Sequence, residues 1–264
     1  MTLTLVITTY NWPEALKAVL ESVNHQIHRP REVIIADDGS DHRTREVIDR
    51  SRAQMEIPLI HSWHEDLGFR VARSRNLAIA KAKGDYIVLI DGDMILHPSF
   101  TRDHSGYARR GHFVQGVRAK LSAAGTQSLL EGTSVNIKSF DSRLKSKRYG
   151  LHNQVLSWMF SGTRFVNKLS MIQTCNMAFF RSDCVKVNGF NEDFIGWGRE
   201  DSEFGARLLH AGVKRRDLRF GAVAYHLHHQ GASRTMLDRN NQLLLETLGE
   251  RKLWCKNGID KHLK

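Results

Sequence analysis

The chain has 264 residues, enough for one large domain or two small ones with a sizeable core. Its 41% hydrophobic and 25% charged residues are those of a folded globular protein and exclude a disordered or low-complexity chain. Lys and Arg total 39 against 28 Asp and Glu, and the resulting +11 suits an anionic partner: nucleic acid, an acidic membrane surface or a phosphate-rich substrate.

Leu3 to Thr8 is β-branched and apolar, a buried strand, and the chain starts on it without a signal peptide's basic region or cleavage site. Pro13 opens a helix whose Ala15, Leu16, Val19, Leu20 and Val23 share one face. Glu32 to Ala36 is a second strand that runs into Asp37-Asp38-Gly39-Ser40, and residues 41 to 54 form a helix with Val47 and Ile48 inward. A short strand, Pro58 to Ser62, precedes a charged loop. Arg73 to Lys83 reads as a helix closed by Gly84, before the fully apolar strand Tyr86 to Ile90 and Asp91-Gly92-Asp93. Residues 101 to 170 are basic with weak periodicity and receive no assignment. Asn176 to Phe180 is a strand, Asp183 to Val187 a helix, Phe190 to Trp197 a loop, and Glu200 to Ala211 a helix ended by Gly212. Phe220 to His226 reads as a last strand and Met236 to Leu253 as a terminal helix. No apolar run approaches the ~20 residues that cross a bilayer. Cys175, Cys184 and Cys255 lack metal-ligand spacing and are expected as thiols in a reducing cytoplasm.

Successive strand–helix units imply a mostly parallel α/β sheet with helices on both faces, and such sheets bind ligands beyond the strands' carboxyl ends. Thr8-Thr9-Tyr10-Asn11, Asp37-Asp38 and Asp91-Gly92-Asp93 all follow strand ends and are expected in one crevice. Two carboxylates flanking Gly92 suit a divalent cation, with the glycine letting a phosphate or ribose approach; the plain alternative is an Asp-Gly turn. Asp38 is the choice for accepting a nucleobase N–H, although Ser40 or Asp41 capping the next helix explains part of that motif. Arg73, Arg75 and Asn76, between two acidic strand ends, suit charge-assisted bonds to a diphosphate rather than a merely solvated face. In Gly196-Trp197-Gly198-Arg199-Glu200-Asp201, acids at a helix start are ordinary, but a Trp between glycines beside them suits a sugar face and a hydroxyl proton. His226, His228 and His229 follow the last strand and are placed to complete a cation site begun by Asp93; His226 is favoured and the other two stay open.

Val6-Ile7-Thr8-Thr9-Tyr10-Asn11, Ile35-Ala36-Asp37-Asp38-Gly39-Ser40, Arg75-Asn76 and Leu89-Ile90-Asp91-Gly92-Asp93 resemble the nucleotide-binding half of family 2 glycosyltransferases. Asn188-Gly189-Phe190-Asn191-Glu192 through Trp197-Gly198-Arg199-Glu200-Asp201 resembles the acceptor motif of β-1,4-galactosyltransferases and chondroitin-polymerase-like enzymes. The resemblance spans roughly residues 3 to 230. It implies a single GT-A domain, with residues 1–100 for the nucleotide sugar and 101–264 for the acceptor. It also implies a uridine diphosphate sugar donor, Mn²⁺ or Mg²⁺, a glycan or lipid-linked glycan acceptor and inversion at the transferred sugar, in surface polysaccharide synthesis. Thr8, Tyr10, Asn11, Asp38, Arg75, Asn76, Asp91 and Gly92 would hold the donor. Asp93, Asp91 and His226 would hold the metal, Asp201 would be the base, and Trp197, Gly198 and Glu200 would shape the acceptor site. Met94 after the acidic motif and the extra histidines depart from the pattern.

A degenerate sugar-nucleotide- or glycan-binding module is the alternative, opposed by the presence of both acidic pairs. A nucleotidyltransferase is disfavoured because Thr8-Thr9-Tyr10-Asn11-Trp12-Pro13 is no glycine-rich phosphate loop. Nucleic-acid binding rests on charge alone, with few aromatics interleaved. The run Arg143-Leu144-Lys145-Ser146-Lys147-Arg148 is a candidate contact with anionic lipid at the inner face of the cell membrane.

Overall fold

The computed structural model describes residues 1–132, 135–161 and 169–263; within the unassigned stretch, 133–134 and 162–168 lie outside the described residues. The first hundred residues form β1 (Leu3–Thr9), α1 (Pro13–Asn24), β2 (Glu32–Asp37), α2 (His42–Gln54), β3 (Leu59–Trp63), α3 (Val71–Lys81) and β4 (Tyr86–Asp91). Alternation along the strands decides the layering. Leu5, Ile7, Val33, Ile35, Val88 and Ile90 enter one core with α1 and Ile48 of α2. Val6, Ile34, Ala36, Ile87 and Leu89 enter the other with Ala72, Ala78 and Ile79 of α3. Both faces of the strands are therefore dry, which is why the strands read as unbroken apolar runs.

The second half adds β5 (Met94–Leu96), α4 (Phe100–Tyr107), β6 (His112–Gln115), β7 (Arg118–Lys120), α5 (Ala123–Glu131) and α6 (Gln154–Phe160). It continues with β8 (Asn176–Phe180), α7 (Arg181–Lys186), α8 (Glu200–His210), β9 (Lys214–Asp217), β10 (Ala224–His226) and α9 (Leu237–Gly249). The main sheet has the order β3-β2-β1-β4-β8-β6-β9. It is mostly parallel; β8 alone runs against its neighbours β4 and β6. A GT-A, Rossmann-like architecture results, and its strand order turns back between β1 and β4, where a ligand crevice is expected. A second, three-stranded sheet has the order β5-β10-β7.

Several boundaries differ from expectation. The last strand starts at Ala224, not Phe220, because Phe220 (φ 57°) and Ala222 (φ 43°) take left-handed backbone that no strand accommodates. The terminal helix stops at Gly249, and Arg251 (φ 50°) turns the chain away. α3 occupies Val71–Lys81, two residues earlier than read, with Ala82 already extended. β9 was not anticipated: Lys-Arg-Arg-Asp carries no apolar signal, yet it pairs in parallel with β6.

Candidate active site

Strand register brings the β1 tip between the two acidic tips of β2 and β4. Thr8 pairs with Asp91 on one side and Ala36 on the other, and Thr9 pairs with Asp37. Gly92 fits under this junction only because it lacks a side chain: its N–H donates to the Thr8 carbonyl at 2.6 Å, and a Cβ would lie 2.8 Å from that oxygen. Asp38 is buried; its carboxylate accepts the Arg70 N–H at 2.9 Å and lies 3.1 Å from His64 Nε2. The Asp38 carboxylate beside it raises the His64 pKa. Gly39 (φ +96°) lets the loop carrying Asp66 pass directly over it, and Asp66 accepts from the half-exposed Tyr10 hydroxyl at 2.9 Å. His64, Asp66 and Arg70 were not singled out; the charged loop before α3 was their only signal. Asn11 (φ 45°) is committed locally, accepting from the Asp41 N–H and donating its own N–H to Ser40.

Arg75 joins this half to the next. Buried on α3, it donates to Glu200 at 3.1 Å and to Asp91 at 3.4 Å, with Nε on the Thr8 hydroxyl at 3.3 Å. Glu200 and Asp201 arrive on the first turn of α8, where helix N–H groups favour negative charge. The preceding bend needs Gly196 (φ +74°), Gly198 (φ +106°) and even Arg199 (φ +76°) in left-handed backbone. It leaves Trp197 40% exposed, with the Arg234 guanidinium 5.1 Å from its ring. Burial, then the Glu200 charge, push the Asp201 carboxyl up to about 7, although Arg75 pulls the other way. Burial likewise raises Asp91 to about 6. Asn76 is not brought to this crevice. It is fully enclosed, with its amide spent on both Phe190 backbone groups and Glu192, so it clamps α3 to the loop after α7.

Asp93 meets two histidines. β5 pairs with β10 so that Met94 faces His226, and Leu227 donates to the Asp93 carbonyl at 2.9 Å. Asp93 Oδ2 then lies 3.4 Å from His226 Nε2 and 3.0 Å from His229 Nε2, all three ligand atoms within 4.8 Å of one another. Among the described residues Asp93 Oδ1 is enclosed without a hydrogen-bond partner, so its lone pairs are open to a cation. Burial holds His226 down to about 4, a neutral imidazole, while the hydrogen bond to Asp93 raises His229. This trio fits a divalent ion. His228 faces outward, its N–H on Thr126, and Asp91 is turned to Arg75 rather than into the trio. Buried Cys175 feels the charges of Asp91, Asp93 and Asp201 together, so the three carboxylates share one region. Arg118 on β7, also unforeseen, faces the same region and donates to Cys175 Sγ at 3.7 Å.

A family model for glycosyl transferase family 2 matches residues 4–186, well over half of the chain. The chain belongs to glycosyl transferase family 2. A second model, the N-terminal domain of galactosyltransferase, matches residues 155–230, which contain the Trp197–Asp201 segment. Among curated relatives, the chondroitin synthase of Escherichia coli is 26% identical over 242 residues, covering 85% of this chain and 34% of that protein. The hyaluronan synthase of Pasteurella multocida is 26% identical over 271 residues, covering 94% and 27%. This family 2 chain thus spans about a third or less of those two proteins. The crystal structure of S. aureus TarS 1-349 in complex with UDP superposes with a TM-score of 0.63 at 16% identity, covering 94% of this chain and 66% of that one, a likeness of fold.

Proposed function

We propose that this family 2 chain is an inverting glycosyltransferase that moves a sugar from a uridine diphosphate donor to a hydroxyl of a glycan or lipid-linked glycan in surface polysaccharide synthesis. The observation that carries the reading is Arg75, buried between Asp91 on the donor side and Glu200 on the acceptor side, so that Asp201 lies beside the strand-end crevice. Residues 1–100 are read as the nucleotide-sugar half and residues 101–264 as the acceptor half. The TarS complex with UDP supports the donor class, and the synthases named above support a glycan product.

Thr8, Tyr10 and Asp38 line the nucleotide end, and Gly92 lets the β4 tip pack directly against Thr8. Asp93, His226 and His229 hold a divalent cation, which supplies charge neutralisation for the departing nucleoside diphosphate. Two imidazoles beside one carboxylate favour Mn²⁺ over Mg²⁺, which prefers an all-oxygen shell. Trp197 presents a face for the acceptor ring, and Glu200, anchored by Arg75, fixes the start of α8. Asp201 takes the acceptor hydroxyl's proton as that oxygen attacks the anomeric carbon opposite the leaving group, so configuration inverts. A carboxyl held near neutrality is matched to that task. The setting we propose is a reducing, cytoplasmic one, in which Cys175, Cys184 and Cys255 stay thiols.

Incubating the protein with a panel of nucleotide sugars and Mn²⁺, with and without chelator, tests the reading. One donor should release its nucleoside diphosphate only when the cation is present. Release of none, or release indifferent to chelator, would exclude this class of reaction.

A further inference from the structure

The face formed by α6 and the turn before it lies outside the site described above. On α6, Val155, Trp158 and Met159 fall at i, i+3 and i+4, hence on one side, with Phe160 beside them. Trp158 is 77% exposed, Val155 66%, Met159 52% and Phe160 45%. Isolated exposed apolar residues need no explanation, but a contiguous group with a Trp at its centre marks a surface that is covered in use.

The charge beside it is positive. Lys145, Lys147, Arg148 and Tyr149 are exposed in the chain immediately before α6, and the Arg148 guanidinium lies 4.6 Å from the Tyr149 ring. Arg143, from the same basic run, is already spent: it binds both Asp141 oxygens and the Asn136 carbonyl. Beneath Trp158 and Met159 opens a cavity of about 830 Å³, lined also by Arg102, Asp103, Tyr107 and Arg216. Asp103 in its wall is occupied by His152 at 2.8 Å and by the Ala222 N–H. Arg216 donates to the Tyr107 carbonyl, and among the described residues no ion pair neutralises it. Burial and the nearby Arg109 charge lower its pKa, so an anion there relieves both.

We propose that this face docks on an anionic lipid bilayer, with Val155, Trp158, Met159 and Phe160 entering the interfacial layer and Lys147, Arg148, Arg102 and Arg216 meeting lipid phosphates. An aromatic–aliphatic face rimmed by cations is the composition of interfacial anchors. A glycan groove would use the Trp ring but has no use for Val155, Met159 and Phe160 in the open. The chain's +11 charge adds long-range attraction to such a surface. The inference goes beyond the transferase reading and does not need it, because association is measured without donor.

Flotation of the full chain with phosphatidylcholine vesicles, with and without phosphatidylglycerol, is the test. Binding should require the anionic lipid and weaken with salt. Trp158→Ser combined with Met159→Ser should lower partitioning by about tenfold or more. Lys147→Glu combined with Arg148→Glu should lower it by about fivefold or more per charge and flatten the salt dependence. Trp158→Phe guards against a folding defect: it should keep binding yet lose the blue shift of emission that vesicles cause in the wild type. Equal binding to neutral and anionic vesicles overturns the proposal, as does full binding by both double variants. So does capture of a soluble anionic oligosaccharide that vesicles fail to displace, which would make the cavity a glycan site.

Discussion

Replacing Arg75 with Met asks whether one buried cation joins the two halves of the crevice. Met fills much of the same volume, so the change is mainly the loss of charge. The Arg75 side chain is 4% exposed and faces Glu200, at 11%, and Asp91, at 35%. Breaking a buried ion pair from one side costs roughly 3–5 kcal/mol. Water screens the more open Asp91, so Glu200 carries most of the loss, and we expect about 3 kcal/mol near pH 8. The sign with pH follows from linkage. Arg75 lowers the proton affinity of Asp91 and Asp201; without it, both pKa values, already raised by burial, rise further. A carboxyl with a raised folded pKa stabilises the fold below its unfolded pKa, and that contribution is lost as pH rises through the folded value. The deficit of the variant is therefore largest near pH 8 and shrinks toward pH 5. Urea denaturation across that range measures it, and adding Glu200→Gln should restore part of the stability. A deficit below about 1 kcal/mol, or one that does not change with pH, refutes the reasoning.

Asp201→Asn should keep nucleotide affinity in calorimetry while transfer falls by about 10²-fold or more. In the wild type turnover should fall as pH drops below about 7, where the Asp201 carboxyl keeps its proton; a rate that climbs instead removes Asp201 as the base. His229→Ala should weaken Mn²⁺ binding by about tenfold or more, the scale that even supporting ligand contacts reach. His228→Ala, at an outward-facing position, should leave it unchanged. Equal effects of the two substitutions in a Mn²⁺ titration would reject the assignment. Gly92→Ala places a Cβ 2.8 Å from the Thr8 carbonyl and should cost about 1–3 kcal/mol in chemical denaturation, as overpacking does. Wild-type stability in that variant would mean the β1–β4 tips are not this close.

Much of the first hundred residues was legible because its signals are local and repeated. Apolar runs of strand length that alternate with helices dictate a parallel sheet, three of them end in Thr9, Asp37 and Asp91, and register then sets Thr8 beside Asp91. The acidic start of α8 was legible for the same reason, as a glycine-flanked bend followed by a helix face. What escaped the reading depends on tertiary partners. β9 is Lys-Arg-Arg-Asp and becomes a strand only because β6 offers an edge. Asn76 looked like a ligand beside Arg75, but helix phase turns it into the core against Phe190 and Glu192. Three neighbouring histidines are indistinguishable in sequence. The end of β10 and the turn after it aim His226 and His229 at Asp93 and turn His228 outward. Arg118 sat in a stretch without periodicity, and only the β7–β10 pairing brings it near Asp91.

The most direct test of the account is a calorimetric titration of uridine diphosphate into the wild type and Asp93→Ala, each with Mn²⁺ and then with chelator. The account predicts tight binding by the wild type that collapses when the cation is removed, and weak binding by the variant in both conditions. Binding of equal strength in all four titrations would contradict it, because the carboxylates and histidines meeting at the strand tips would then have no part in holding a diphosphate.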